Sequence, residues 1–171
     1  MAFIRIKTIK DHPYAYLVEN NWIGHCSRQR VRAYLGKVVE MNSIHSAPAP
    51  NMGGDFRTCL EEIIVWHLGC LGFRPKNGVP TKGTLSFRPL DLSFSMKGKP
   101  VSIVIRHQHG YTCTHTLDQL RSFKVCGSDQ EAGVALAESV VNAGINLPKE
   151  LFVALFEKAK ASKTTPLKSV A

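Results

Sequence analysis

The sequence predicts an α+β fold: an N-terminal three-stranded antiparallel β meander, then a mixed αββα-type core with C-terminal helices. Three observations favour this class. Apolar and polar residues alternate over 3–9, apolar residues follow helical spacing over 56–71 and after residue 129, and no internal repeat is visible. With 171 residues and 44% apolar content, the chain is long enough to bury a core.

The three strands of the meander are predicted from alternation and from β-branched and aromatic residues. "FIRIKTI" and "PYAYLVEN" give the first two strands, with turns expected at "KDHP" and "NNWIGH". The third strand, "SRQRVRAYLGKV", would place Arg28, Arg30 and Arg32 on one face about 6.6 Å apart, because side chains alternate and each residue rises about 3.3 Å. As a helix, this stretch would lack a continuous apolar stripe, which favours the strand.

Composition divides the chain into four segments. Residues 1–41 carry seven Lys and Arg against three acids, so the meander is a basic module. "NSIHSAPAPNMGG" has two prolines, two glycines and no periodicity, which predicts a linker over 42–54. The α+β core then covers 55–161. Residues 162–171 form a basic tail that is expected to be flexible, either simply solvated or an arm that orders on a phosphate backbone.

The core begins with a helix that Asp55 is expected to cap and Gly72 to terminate. The strands "TLSFR", "LDLSFSM" and "VSIVIRH" follow, the last two joined by the turn "KGKP". Thr116 and Gln119 form a capping-box pattern that opens a short helix. A longer helix over 129–142 and a final helix from Pro148 complete the core.

The charge balance points to a polyanionic partner. Lys and Arg number 22 against 13 acids, which gives a net charge of +9 and a pI near 9.5. No apolar run after Met1 is long enough for a signal peptide or a membrane span, so a cytoplasmic protein without a membrane partner is expected. The five cysteines are odd in number and form no C-x-x-C pair, which favours neither a disulfide framework nor a zinc ribbon.

The arginine strand has two interpretations. Its charges could be a solvated face that discourages edge-to-edge aggregation, or a face that binds phosphate. The second interpretation predicts nucleic-acid contacts at Arg5, Lys7, Arg28, Arg30, Arg32 and Lys37, with Trp22, Tyr14 and Tyr16 available for stacking. For Tyr14 and Tyr16, packing in the core is the alternative.

A second cluster, "RHQHGYTCTH", holds possible metal ligands. If Gly110 and Tyr111 form a turn, four side chains could converge on one ion, and nitrogen and sulfur ligands suit Zn²⁺. These side chains are His107, His109, Cys113 and His115. Because the spacing matches no standard zinc pattern, packed or hydrogen-bonded histidines beside a buried cysteine are the favoured interpretation.

Residues 55–125 resemble the core of the PD-(D/E)XK nucleases, which include Holliday-junction resolvases and restriction endonucleases. The resemblance lies in a helix with Glu61 and Glu62, the sequence "LGF", a strand bearing Asp91, a hairpin, a hydrophobic strand and a helix. It implies a Mg²⁺ site formed by Asp91 and a helix glutamate, with Arg106 in the position of the family's lysine. Val104 stands where the family has its third acid and offers no oxygen ligand, so the core resembles a degenerate, inactive member.

Residues 1–41 resemble the basic β region that opens many insertion-sequence transposases, through "YAYLVENNWIGHCSRQRVRAYLGKV". This resemblance implies a β module that contacts nucleic acid. The sequence therefore predicts a basic, non-catalytic protein that binds DNA or structured RNA without a cofactor, within a ribonucleoprotein or DNA-processing assembly. The alternatives are a Mg²⁺-dependent nuclease and a protein-interaction subunit whose charge is only solubilising.

Overall fold

A computed structural model describes residues 2–23, 26–41, 46–106 and 108–164. The meander consists of β1 (Ala2–Ile9), β2 (His12–Ile23) and β3 (Cys26–Met41). The other elements, in chain order, are α1 (Phe56–Cys70), β4 (Arg74–Lys76), β5 (Val79–Lys82), β6 (Leu85–Arg88), β7 (Ser93–Met96), β8 (Lys99–Ile105), α2 (Thr114–Arg121), α3 (Asp129–Asn142) and α4 (Lys149–Thr164).

The eight strands form one mixed sheet in the order β1-β2-β3-β8-β7-β6-β5-β4. Neighbouring strands are antiparallel except β3 and β8, which pair in parallel with Lys37 opposite Val101 and Met41 opposite Ile105. α1 and β4 to β7 supply the long connection that two parallel strands require. The predicted α+β class, with its N-terminal meander and C-terminal helices, is confirmed. The segments predicted over 1–41 and 55–161 share this sheet.

Two of the three predicted turns are confirmed. Lys10 and Asp11 join β1 to β2, and Lys97 and Gly98 join β7 to β8, all with positive φ. Two successive residues of positive φ make the hairpin turn whose twist matches that of its strands. The turn predicted over "NNWIGH" is shorter than expected, because Asn20–Ile23 belongs to β2 and Ile23 already pairs with Cys26. Residues 24–25 lie outside the described part of the chain.

The predicted helix caps are largely confirmed. Asp55 Oδ1 accepts the Thr58 amide at 2.8 Å at the start of α1, and Gly72 follows its end with φ of 84°. α3 has the predicted bounds, while α2 begins earlier than predicted because Cys113, not Thr116, is its N-cap residue. α4 continues to Thr164, beyond the predicted end of the core. None of the described helices is long and apolar enough to cross a membrane.

A β-hairpin, β4 and β5, lies where the sequence analysis predicted no strand. Pro75 and Pro80 face each other in this pair, and prolines argue against strands because they lack an amide donor. β4 is the outermost strand of the sheet, where a missing donor is tolerated. The signal that could have identified the hairpin is Asn77-Gly78, since both residues have the positive φ of a tight turn.

The core lies between the sheet and the helices. Met41, Ile103 and Ile105 project from β3 and β8 into a buried cluster that includes residues of all four helices. Phe94 on β7 is 2% exposed, and its ring lies 4.7 Å from that of Phe87. The side of the sheet that carries these residues is therefore its helix-covered face.

The backbone of β8 lies close to β3 at Gly36. This residue has φ of 99°, and a Cβ built there would lie 2.1 Å from the carbonyl oxygen of Pro100. Nearby, buried Ser102 donates a hydrogen bond of 2.8 Å to the Leu35 carbonyl. Only glycine fits this geometry, so the close approach of β3 to the backbone of β8 at this position requires Gly36.

His67 is a buried histidine in α1. It is 1% exposed, and its Nε2 atom has no hydrogen-bond partner among the described residues. Burial lowers the pKa of His67 from 6.5 to about 4, because the charged imidazolium loses its hydration. His67 is therefore neutral in the folded protein at neutral pH.

We expect His67 to make the folded state acid-sensitive. Between pH 6.5 and pH 4 the unfolded chain binds a proton at His67 that the folded chain does not, so stability is full above pH 6.5 and falls towards pH 4. The loss at pH 4 should be about 3 kcal/mol. Urea unfolding at pH 7 and pH 4 should show a smaller difference for His67→Leu than for wild type. The exposed His12, changed to Gln, is the control; equal pH dependence in wild type and His67→Leu would refute the assignment.

Candidate nucleic-acid interface

A two-stranded arm extends from the sheet beyond β1. The first residue of β1, Ala2, lies opposite Glu19, and from there on β2 and β3 pair with each other as far as Ile23 and Cys26. β3 meets β8 only at its other end, over 37–41. We call residues 20–23 and 26–29 the arm. The arm exists because β2 continues through residues 20–23, which were predicted to belong to a turn.

One face of the arm carries arginine. Cross-strand partners lie on the same face of a sheet, so Arg28 shares a face with Asn21, and Arg30 with Glu19. Arg28 and Arg30 are exposed, and neither has a hydrogen bond or ion pair to another described residue. The predicted common face of these two arginines is confirmed. We call it the arginine face; by the register of β2 it is opposite the helix-covered face.

Arg32 differs from the other two arginines because an acid neutralises it. Its Nε atom lies 2.7 Å from Oε2 of Glu19, a side chain that is only 17% exposed. Residues 27–38 contain no acid, but the neighbouring strand β2 supplies Glu19 across the pair. The arginine face therefore offers two free guanidinium groups, not three.

The opposite face of the meander holds three tyrosines. The Tyr34 ring lies 5.3 Å from that of Tyr16 and 6.4 Å from that of Tyr14, and Lys7 Nζ lies 5.7 Å from the Tyr16 ring centre. Tyr14 and Tyr16 are half-buried, whereas Tyr34 is 47% exposed. Partial burial, with Tyr14 and Tyr16 nearby, raises the pKa of Tyr34. We call this cluster the tyrosine face.

The remaining predicted contact residues lie on the tyrosine face. Lys37 is opposite Tyr14, and Arg5 is opposite Tyr16 and donates a hydrogen bond to Gln29. Trp22, 75% exposed near the end of the arm, is on the same face by the register of β2. The structure thus divides the predicted contact set between two faces and does not bring it together on one surface.

Tyr34 was missed as a candidate because simple alternation places it with the arginines. Register shifts in the β2–β3 pairing, between Ala15 and Tyr16 and between Leu17 and Val18, insert extra residues into β3. Each insertion changes which later residues share a face. Gly36, a glycine inside a strand with φ of 99°, lies beside the first shift and is a signal for such an irregularity.

The predicted nuclease residues have different surroundings and different hydrogen-bond partners. Glu61 accepts a hydrogen bond of 3.2 Å from Arg57 on the same helix, and Glu62 is exposed. Asp91 lies in the turn between β6 and β7 and not on a strand, which corrects the prediction. It accepts a hydrogen bond of 2.7 Å from Ser93, which, with the nearby Arg88, lowers the pKa of Asp91.

The end of β8 also lacks an acid of its own. Val104 lies opposite Glu40 of β3, and Arg106 forms an ion pair with Glu40. Within the described ranges, no three His, Cys, Asp or Glu side chains are grouped so that they could hold a metal ion. Arg106, which was predicted in the position of the family's lysine, thus forms an ion pair with Glu40.

The predicted zinc ligands have different surroundings. His107 lies outside the described residues, and His109 is exposed. Cys113 is 1% exposed at the start of α2, where its Sγ lies 3.6 Å from Oγ1 of Thr116. Partial burial lowers the pKa of His115, and the nearby Asp118 opposes that shift. The burial of Cys113 at the start of a helix agrees with the favoured interpretation, in which this cysteine is packed and not a ligand.

The basic tail is described only at its beginning. Lys160 is half-buried, and its Nζ lies 2.7 Å from Asp129 Oδ2 and 3.6 Å from Glu157 Oε1. Residues 165–171, including Lys168, lie outside the described part of the chain. α4 includes 162–164, so the first three residues of the predicted tail are helical.

The chemistry available at the arm is that of a polyanion-binding surface. Free guanidinium groups donate to phosphate oxygens or base edges, and an exposed indole can stack on a base. One hairpin supplies these groups through Arg28, Arg30 and Trp22.

Comparison with known proteins found no match: the chain matches no protein-family model, no curated protein and no solved structure.

Proposed function

We propose that this protein is a non-catalytic nucleic-acid-binding protein that contacts DNA or structured RNA through the β2–β3 arm, within a larger assembly. The observation that supports this most is the pair of exposed arginines, Arg28 and Arg30, that have no partner among the described residues. Arg28 lies in the arm, and Arg30 lies at its base, opposite Glu19, where β1 begins. A bound phosphate backbone would supply the missing negative charge.

The energetics favour an anionic ligand at this position. Two like charges about 6.6 Å apart on one face repel each other, and only water and salt screen them in the free protein. The net charge of +9 adds long-range attraction for a polyanion. The competing interpretation, in which these arginines only keep the sheet soluble, requires no ligand and predicts no change in binding when they are removed.

The test is nucleic-acid binding by Arg28→Ala/Arg30→Ala. Each lost phosphate contact removes about 0.9 from the slope of log affinity against log salt on duplex DNA, so the double variant should bind more weakly, with a slope shallower by about 1.8 where both guanidinium groups contact phosphate and by less where they contact base edges. Fluorescence anisotropy with a labelled 20-bp duplex at several salt concentrations measures both quantities. Lys76→Ala/Lys149→Ala removes the same charge from exposed positions on β4 and α4 and is the matched control.

The proposal makes the two double variants differ. If both lose affinity equally, the binding reflects net charge alone and the arm is not the interface. If neither changes, the arginines serve solubility. Cleavage of the duplex with Mg²⁺, abolished in Asp91→Ala, would instead support the nuclease alternative.

A further inference from the structure

We infer that the arm enters the major groove of duplex DNA and that its arginine face contacts base edges there. This inference rests on the proposed nucleic-acid binding and names its substrate class. It concerns Asn21, Arg28 and Arg30, which are exposed and lie on one face.

The width of the arm fits this groove. Adjacent strands lie about 4.8 Å apart, and the major groove of B-DNA, about 12 Å wide, admits a two-stranded ribbon with its side chains. At Glu19 and before it, β2 pairs with β1 as well, so the sheet is one strand wider from the position of Arg30 onwards. The major groove of an A-form RNA duplex is too deep and narrow for side chains to read. The two-stranded part therefore matches duplex DNA.

The side chains of the arginine face match base edges. Asn21 lies directly opposite Arg28, and Arg30 follows two residues along β3. An asparagine amide pairs with adenine and a guanidinium with guanine in the major groove. Two residues of a strand span about 6.6 Å, close to two base-pair steps of about 3.4 Å. Arg28 and Arg30 can therefore address bases two steps apart.

On the other face of the arm, one polar side chain is already hydrogen-bonded. Gln29 accepts a hydrogen bond from Arg5 of β1, and Asn20 lies opposite Gln29. Asn20 and Asn21 are thus adjacent, both exposed, and on opposite faces. This pair separates contact through the arginine face from contact through the other face without changing charge.

The experiment compares Asn21→Ala with Asn20→Ala. Wild-type protein is first used to enrich 24-bp duplexes from a pool with ten randomised central positions. Asn21→Ala should then bind the enriched duplex about tenfold more weakly, with the salt slope unchanged because asparagine is neutral, while Asn20→Ala binds like wild type. The same sequence as an RNA duplex should bind wild type at least tenfold more weakly.

A second measurement uses only wild-type protein, so it does not depend on the folding of any variant. Bulky substituents at pyrimidine C5 of the enriched duplex occupy the major groove and should reduce affinity at least tenfold, whereas a minor-groove ligand should leave it unchanged. Equal binding of the RNA duplex, indifference to C5 substitution, or equal effects of the two asparagine variants would overturn the inference. If Arg28→Ala/Arg30→Ala still lowered affinity and salt slope in that case, the proposed function would stand alone.

Discussion

Gly36→Ala is expected to lower the free energy of unfolding by about 2–6 kcal/mol. A residue with a side chain at φ of 99° is strained by about 1–3 kcal/mol, and the new Cβ, 2.1 Å from the Pro100 carbonyl oxygen, requires a backbone shift that costs about as much again. Urea denaturation followed by circular dichroism measures the change. The backbone of β8 supplies the clash, so no side-chain rotation can relieve it.

Gly98→Ala is the control for the backbone contribution. Gly98 also has positive φ, 74°, but a Cβ there would have no atom within 4 Å. Its substitution should cost only about 1–2 kcal/mol, the strain of the left-handed conformation. Equal losses of stability at the two positions would mean that the backbones of β3 and β8 move apart at Gly36 without a cost in free energy. The close contact at Gly36 would then not hold the meander to the sheet.

The sequence predicted those features of the fold that depend on local chemistry. The Asp55 cap and Gly72 terminus of α1 follow from hydrogen-bonding and φ preferences of single residues. The parallel pairing of β3 with β8 joins residues more than sixty positions apart. Neither strand contains a local signal for its partner, so this pairing could not be derived.

The candidate site was predicted only in part, because only some of its features follow from local sequence. The common face of Arg28 and Arg30 follows from alternation, which is local. The ion pair of Arg32 with Glu19 depends on cross-strand register, and the place of Tyr34 depends on two register shifts. The length of the arm was missed because glycine and asparagines in "NNWIGH" suggested a turn, although its tryptophan and isoleucine favour a strand.

Phe94→Ala is expected to lower the free energy of unfolding by about 3–5 kcal/mol. Phe94 is 2% exposed. Its ring centre lies 4.7 Å from that of Phe87 on the neighbouring strand and 6.4 Å from that of Phe73, which follows α1 in the sequence. Truncation would leave a cavity in the core and remove both ring contacts. Leu90→Ala, at a site that is 89% exposed, should leave stability nearly unchanged.

The same substitution tests whether the meander and the core unfold together. Trp22 lies in the arm and Trp66 in α1, so Trp66→Phe leaves a reporter on the meander and Trp22→Phe leaves one on the core. Because β3 belongs to the meander and is also hydrogen-bonded to β8, we expect Phe94→Ala to shift both fluorescence transitions to the same lower urea concentration. A shift seen by Trp66 alone would show that residues 1–41 unfold independently of the sheet they share, and that the linker over 42–54 separates two cooperative units.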